Sequence, residues 1–338
     1  MSVAPDEGKS PGKRSVKNQK SNKIAEEDDL EENKNVENPL KGFLFAFTFK
    51  YFLKTSAREV IECLIHGKEE RLAQLMDDSL VKDYCLTECE HYRIAPFHSI
   101  PFIKCDFSLA RQLLLVGINV DEPVKEKTLA WDTKIESGSR LLHLAAHNNH
   151  VELIRELIQM GANPNIESDD KSTPLFIACR EGQAEAAKAL IQGGADLDFE
   201  RPVDHGTLLH AAADCGSEQV AAVLLDHGAS VFKINNCGHS PLHVAAKRGF
   251  VKLVDLLIKY KADVTQTNKY HLETALHKAC QYGQTEAAIC LLGHGSDINA
   301  ANRFGLTPLM KAVERGHGDT TEMLLAKNAS VHVSRHHP

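Results

Sequence analysis

The sequence predicts an all-α solenoid of helix-turn-helix units with β-hairpin fingers between them and an irregular helical N-terminal region. One residue pattern returns six times, at steps of 33, 34, 33, 34 and 33 residues. In each copy, a start resembling Thr/Ser-Pro-Leu-His is followed by a leucine-rich stretch. In most copies one glycine lies between these two segments and another follows the leucine-rich stretch. We number the units one to six by the leucine of the start pattern: Leu142, Leu175, Leu209, Leu242, Leu276 and Leu309. Repeats of this length bury their core against neighbouring repeats, which predicts one elongated body.

The chain before the repeats divides by composition. Residues 1–38 are charged and almost without large apolar side chains, which predicts a disordered tail. Residues 39–55 are aromatic, with five phenylalanines between Phe43 and Phe52. Three hypotheses fit this aromatic segment: a cap on the repeat stack, a peptide that docks into a partner, or a membrane-surface anchor. It is too short for a transmembrane segment, because Lys50 and Lys54 interrupt it.

Residues 56–136 read as a degenerate copy of the pattern with a long insertion. Ala95-Pro96-Phe97-His98 resembles the start signature, and Pro101 follows where it would disturb a helix. From Gly117 to Leu142 the gap is 25 residues, where later units use 14 or 15. Whether this region holds one or two degenerate units stays open. Residues 137–331 hold the six clear units, and 332–338 form a short tail.

The residues that begin the first helix are easiest to recognise in unit four. Ser240 has the side chain of an N-cap, and Pro241 fits the first helical position, where its missing N–H costs nothing. Ala245 and Ala246 are small enough for a second antiparallel helix to lie close. Gly249 then favours a turn with positive φ. The equivalent turn positions in the other units are Asn149, Gly182, Gly216, Gly283 and Gly316.

A second helix follows each turn and ends before a short extended stretch. In unit four this helix carries Leu253, Leu256 and Leu257. The residues predicted to end the six second helices are Gly161, Gly194, Gly228, Lys261, Gly295 and Asn328. Helix, turn, helix and extended finger, repeated every 33 residues, resembles the ankyrin repeat.

Departures from the family pattern lie at two kinds of position. Phe176 and Met310 stand where the family has a histidine that ties neighbouring repeats together, so those junctions should rely more on packing. Both 34-residue steps fall in the fingers, near residues 201–206 and 269–273. The fingers are the part of the family that touches partners.

The ankyrin resemblance implies a concave face, lined by finger tips and first-helix ends, that binds protein partners. Large side chains in units four to six, Tyr270, Tyr282 and Phe304 among them, are of the kind that anchors interfaces. The alternative for any one of these residues is a solvated surface. The candidate partner-binding residues are Arg180, Glu181, Lys247, Arg248, Tyr270, His271, Gln281, Tyr282, Arg303, Phe304, Glu314 and Arg315. The resemblance also implies that Asn165 and Asn299 match a position that a cytosolic oxygenase can hydroxylate.

The histidines and cysteines do not by themselves predict catalysis. His143 and His147 have a metal-ligand spacing, but His143 recurs at one repeat position, which predicts a structural role. A cluster with more suitable composition, formed by Cys85, Cys89, His91, His98 and Cys105, matches no common zinc spacing. Phosphate-binding loops and nucleophile elbows are missing from the sequence. We therefore expect no metal, no cofactor and no enzymatic activity.

Composition limits the remaining functions. The formal net charge of −7 argues against a general nucleic-acid binder. Nine cysteines, several at small apolar repeat positions, are typical of reduced thiols and predict a cytoplasmic or nuclear protein. We interpret the chain as a protein-protein interaction scaffold or adaptor. The alternatives are a substrate-recognition subunit of a ubiquitin ligase, and a peripheral membrane adaptor acting through Phe43 to Phe52.

Overall fold

The computed structural model describes residues 55–64, 66, 68–76, 80, 85, 95–102, 114–115, 118–125, 128–130 and 133–331. The predicted charged tail, nearly all of the aromatic segment and the C-terminal tail lie outside these residues. Their assignments therefore stay predictions.

Each of the six units contributes two antiparallel helices of seven to nine residues, as the repeat pattern predicts. The first helices are Leu141–His147, Pro174–Arg180, Leu208–Cys215, Pro241–Arg248, Ala275–Gln281 and Pro308–Glu314. The second helices are Val151–Gln159, Ala184–Gln192, Glu218–Asp226, Val251–Lys259, Thr285–Gly293 and Gly318–Ala326. First helices pack on first helices of neighbouring units and second on second, so two helical layers run along the stack.

Local sequence explains where these helices begin and end. Ser240 is the N-cap of its helix and Pro241 occupies the first turn. The turn after each first helix has positive φ, from 56° at Asn149 to 80° at Gly249. The residues that end the second helices also have positive φ, including Lys261 at 72°. Left-handed residues thus reverse the chain at every predicted position.

Small residues let the layers approach. Ala245 and Ala246 are fully buried, and Leu242 beside them is 1% exposed. The same alternation of alanine and leucine repeats through the stack, so one continuous core forms between units and each unit depends on its neighbours.

The N-terminal region contains further helices. Residues 55–64 are helical, followed by Glu69–Met76 and by Pro96–Ser99, which continues into a 3₁₀ turn at Ile100–Phe102. Ile61, Leu64 and Leu72 are fully buried. His98 is buried too, and its Nε2 lies 3.0 Å from the carbonyl oxygen of Glu122. This bond matches the histidine contacts of the regular units described below.

The long insertion before unit one contains a β-hairpin that sequence analysis did not assign. Strands Thr128–Ala130 and Thr133–Ile135 pair antiparallel, with Thr128 opposite Ile135. The fingers between units are shorter hairpin-like turns, each closed by a backbone hydrogen bond such as that from Asn235 N–H to the His239 carbonyl at 2.9 Å. An isolated bridge between Glu200 and Thr207 extends one of them.

Among the described residues, no helix has both the length and the apolar character needed to cross a bilayer.

Candidate protein-binding surface

The buried histidines of the first helices join consecutive units. Ser240 N–H donates to Nδ1 of His243 at 3.3 Å, and Nε2 of His243 lies 2.9 Å from the Glu273 carbonyl oxygen. Since Nδ1 accepts, the ring is neutral and Nε2–H donates. The corresponding Nε2 contacts run from His143 to Ser172, from His210 to His239 and from His277 to Leu306, at 2.8 to 3.1 Å. These contacts position the fingers and occupy both ring nitrogens, which explains the histidine recurrence without a metal.

Finger tips from consecutive units form one edge of the surface, but they are tied together only in pairs. Asp169 N–H donates to the Ser137 carbonyl, Asn236 N–H to Asp204 and Arg303 N–H to His271, at 2.8 to 3.2 Å. Within residues 136–331, the structure shows no backbone bond between finger 168–172 and finger 201–206, or between finger 235–239 and finger 268–273. In the first case Pro202 stands where the donor would be, and it has no N–H. In the second, the Lys269 N–H makes no such bond, although its backbone lies close to Gly238 just as the bonded Asp169 backbone lies close to Gly138.

The finger at residues 201–206 is the first of the two lengthened fingers. His205 in this finger has φ of 50°, and the shorter fingers have an equivalent left-handed residue, such as Lys171 at 62°. Arg201 pairs with Asp204, with Nη2 and Oδ2 2.6 Å apart, and its guanidinium also lies 5.0 Å from the centroid of the Phe176 ring. Phe176 packs edge-on against Phe199 at 6.0 Å. Packing and a cation–π contact thus occur where the family histidine is missing.

The finger at residues 268–273 is the second lengthened finger and carries a buried ionic cluster that sequence analysis missed. The Glu273 carboxylate is 2.6 Å from Nζ of Lys278 and 3.3 Å from Nζ of Lys311. Asn302 Nδ2 also donates to it at 3.3 Å. Burial alone would raise the pKa of the Glu273 carboxyl, but the hydrogen bond and charge of Lys278, with Lys311, lower that pKa to about 2. The cluster holds the finger onto units five and six.

Three exposed aromatic side chains mark the surface of units four to six. Tyr270 is 49% exposed, Tyr282 46% and Phe304 65%. We call these three residues the aromatic patch. Nζ of Lys247 lies 5.1 Å from the centroid of the Tyr282 ring, and Nζ of Lys269 lies 5.9 Å from that of Tyr270. The His271 ring lies 5.7 Å from Phe304, which joins two neighbouring finger tips.

The structure places the predicted partner-binding residues on finger tips or first-helix ends. Lys247 and Gln281 are half-buried, whereas the exposed ones are Arg180, Glu181, Arg248, Tyr270, His271, Tyr282, Arg303, Phe304, Glu314 and Arg315. Some of the charges already have partners: Arg248 Nη2 lies 2.7 Å from Asp214, and Arg180 Nε lies 2.9 Å from Glu181. Their role in binding stays a prediction.

A cleft of about 490 Å³ lies at the other end of the surface, in units one and two. Residues Ile135 and Glu136, at the end of the insertion hairpin, form one wall, and His147, Arg180 and Glu181 line the first-helix side. The cleft has no signal in the sequence, because the insertion carries no recognisable pattern.

Asn165 and Asn299 hold structural bonds to the next unit. Oδ1 of Asn165 accepts from the Asp196 N–H, and Oδ1 of Asn299 accepts from the Ser330 N–H, both at 2.8 Å. Hydroxylation at these residues stays a prediction. Of the Cys85 cluster, Cys85 is buried with its pKa raised to about 12 by burial, whereas Cys89, His91 and Cys105 lie outside the described residues.

Comparison with known proteins identifies the repeat. Three copies of a family model described as ankyrin repeats match residues 104–201, 194–268 and 265–335, more than half of the chain. The chain belongs to the ankyrin repeat family. This confirms the resemblance and the solenoid fold, and ankyrin repeats are a protein-protein interaction module.

Relatives of this ankyrin repeat protein are diverse. It is 30% identical over 215 residues to the nuclear factor NF-kappa-B p105 subunit of Gallus gallus, covering 60% of this chain and 22% of that protein. It is 35% identical over 191 residues to SH3 and multiple ankyrin repeat domains protein 2 of Homo sapiens, covering 54% and 10%. The crystal structure of the human ASB11 ankyrin repeat domain aligns with a TM-score of 0.52 at 28% identity, covering 56% of this chain and 84% of that domain. The chain thus spans less than a quarter of the length of these two curated relatives.

Proposed function

We propose that this ankyrin repeat protein is a non-enzymatic scaffold or adaptor that binds a protein partner on the finger and first-helix surface of units four to six. The observation that carries the proposal is the aromatic patch. Three large rings that are about half or more exposed lie where the fold itself needs no aromatic side chain.

The energetics favour a partner at the patch. A fully buried aromatic side chain covers about 150–250 Å², and apolar burial contributes about 25 cal/mol per Å². Covering the exposed parts of Tyr270, Tyr282 and Phe304 would therefore supply a substantial anchor. Tyrosine also has a hydroxyl that tolerates solvent, so the patch is compatible with both free and bound states.

The charges around the patch indicate what kind of partner fits. Lys247 and Lys269 lie over the two tyrosine rings, and Arg303 is exposed beside Phe304. We propose a partner segment with apolar side chains for the rings and acidic residues for these cations.

Affinity purification with mass spectrometry, comparing wild type with a Tyr270→Ala/Tyr282→Ala/Phe304→Ala variant, tests the proposal. We expect the variant to lose specific partners that wild type captures, with an unchanged melting temperature. Phe232→Ala/Tyr260→Ala is the matched control, since it removes two exposed rings outside the patch. Identical partner sets for all three proteins would contradict the proposal, and recovery of cullin or elongin subunits would favour the ubiquitin-ligase alternative.

Location in the cytoplasm or nucleus is also proposed. Its support is the set of free buried thiols, such as Cys63, Cys179 and Cys280, which persist in a reducing compartment. Imaging of a fluorescent fusion tests it, and accumulation in the secretory pathway would contradict it.

A further inference from the structure

The second helices of units four and five bring together three side chains with metal-binding chemistry. Asp255 lies on Val251–Lys259, Cys290 on Thr285–Gly293, and His294 follows directly as the C-cap. One ligand atom of each lies within 4.8 Å of those of the other two. The cluster lies in the layer of second helices. The predicted partner-binding residues lie on the finger tips and the ends of the first helices, so the two sites are separate.

Helix geometry presents the histidine and cysteine together. Cys290 and His294 are four residues apart, which places both on one face, and the His294 N–H donates to the Cys290 carbonyl at 3.1 Å. Asp255 reaches them from the neighbouring helix, with its Oδ1 3.0 Å from Nε2 of His294. The positions of all three are therefore set by regular secondary structure.

Against the expectation from sequence that no metal is bound, we propose that Asp255, Cys290 and His294 bind one Zn²⁺ ion and so bridge units four and five. A thiolate, an imidazole and a carboxylate are the ligands zinc uses in proteins, at about 2.0–2.3 Å. Three such bonds in a tetrahedral arrangement hold the ligand atoms roughly 3–4 Å apart. The ligand atoms of the three side chains, all within 4.8 Å of one another, lie near that range. The fourth coordination position of such an ion would be open to a water molecule.

Lys259 supports the carboxylate. Its Nζ lies 2.7 Å from Oδ2 of Asp255, the oxygen that does not contact His294. Lys259 thus pairs with one oxygen of the carboxylate and His294 with the other. One oxygen can then bind the metal while the other keeps its bond to Lys259, as second-shell partners do in zinc sites. On binding, the Cys290 thiol releases its proton to solvent.

The repeat itself does not require this trio. Ankyrin packing accepts other residues at each position, since the places of Asp255, Cys290 and His294 are taken in unit three by Ala222, Val223 and His227. His227 lies at the same C-cap position, yet its Nδ1 contacts the Val223 carbonyl at 2.8 Å and no thiol lies four residues before it. A simple Asp255–His294 ion pair would need no cysteine beside it.

Metal titration of the full chain tests the proposal. Calorimetry with Zn²⁺ should show a one-to-one site in wild type that weakens at least tenfold in Cys290→Ser and in His294→Ala. His227→Ala and Cys237→Ser, which remove an equivalent histidine and an exposed thiol, should keep the site. Co²⁺ substitution should give a thiolate-to-metal absorption band that Cys290→Ser loses and Cys237→Ser retains.

Stability gives a second readout. Because the ion would bind the folded state, saturating Zn²⁺ should raise the melting temperature of wild type by several degrees and leave that of His294→Ala unchanged. Far-ultraviolet circular dichroism checks that each variant is folded. The proposal would be overturned if wild type bound Zn²⁺ no more tightly than Cys290→Ser and His294→Ala do. Neither result depends on the partner proposed for the aromatic patch.

Discussion

Lys278 Nζ lies 2.6 Å from Oε2 of Glu273, and both side chains are at least 90% buried. Lys311 reaches the other carboxylate oxygen from unit six, so one negative charge serves two buried cations. Removing the carboxylate would leave both ammonium groups in a poorly solvated site. This arrangement makes the lengthened finger a strong determinant of stability in the C-terminal units.

Glu273→Ala is therefore expected to lower the free energy of unfolding by about 3–5 kcal/mol, the range for breaking a buried ion pair. Urea denaturation at pH 7 measures it. Glu314→Ala is the control, because it removes the exposed partner of Lys311 and should cost less than about 1 kcal/mol. Equal effects of the two substitutions would contradict the role assigned to Glu273.

Buried histidines should make the stack sensitive to mild acid. Burial lowers the pKa of both His143 and His243 to about 4, against an ordinary value of 6.5. The unfolded chain then takes up protons below pH 6.5, while the folded chain does not until about pH 4. Each of these histidines makes its full contribution to the free energy of unfolding above pH 6.5. That contribution falls by about 3 kcal/mol as the pH drops to 4.

Urea denaturation across pH 4–8 measures this loss. His243→Phe, which places in unit four the residue that unit two has at this position, removes one titrating group. We expect a shallower decline of unfolding free energy below pH 6.5 in this variant. A slope identical to that of wild type would show that His243 does not contribute.

Substituting alanine at two turn glycines should distinguish the energetic cost of backbone strain from that of steric contact. Gly228 has φ of 92° and no atom within 4 Å of an added Cβ, so Gly228→Ala should cost only the left-handed penalty of about 1–2 kcal/mol. At Gly216 an added Cβ would lie 2.6 Å from the Phe250 ring, so Gly216→Ala should cost distinctly more. Thermal denaturation ranks the two variants. The reverse order would indicate that Phe250 moves aside freely.

Phe176 tests whether packing replaces the missing histidine bond. Phe176→Ala removes the ring that contacts Phe199 and Arg201 and should destabilise the protein by about 3–5 kcal/mol. Met310→Ala changes the same repeat position in unit six, where the side chain is half-buried, and should cost less. Chemical denaturation distinguishes them, and a small effect at Phe176 would mean that the junction is held by other contacts.

Features repeated six times could be predicted from sequence because each copy supports the others. The helix start at Ser240, the turn at Gly249 and the exposure of Tyr282 all follow from their phase in the repeat. Pairing of units by histidines followed from the family resemblance. Even the left-handed Lys261 was predictable, since five equivalent residues favour that conformation.

Features present once could not be predicted. The hairpin at Thr128–Ile135 lies in an insertion with no periodic pattern, so its cleft had no signal. Glu273 was visible as part of a lengthened finger, but its contact with Lys311 crosses 38 positions and depends on the stacking geometry. Cys290 and His294 had a recognisable four-residue spacing, whereas the approach of Asp255 required knowledge of helix packing.

The pairing of finger tips has a mechanical consequence. Relative movement of units two and three, or of units four and five, would break no backbone hydrogen bond at the finger edge, because Pro202 and Lys269 donate none across those boundaries. Inside each pair of fingers the edge resists such motion. The two boundaries differ, because His243 Nε2 still donates to the Glu273 carbonyl oxygen between units four and five, whereas between units two and three Phe176 offers only a ring contact with Arg201.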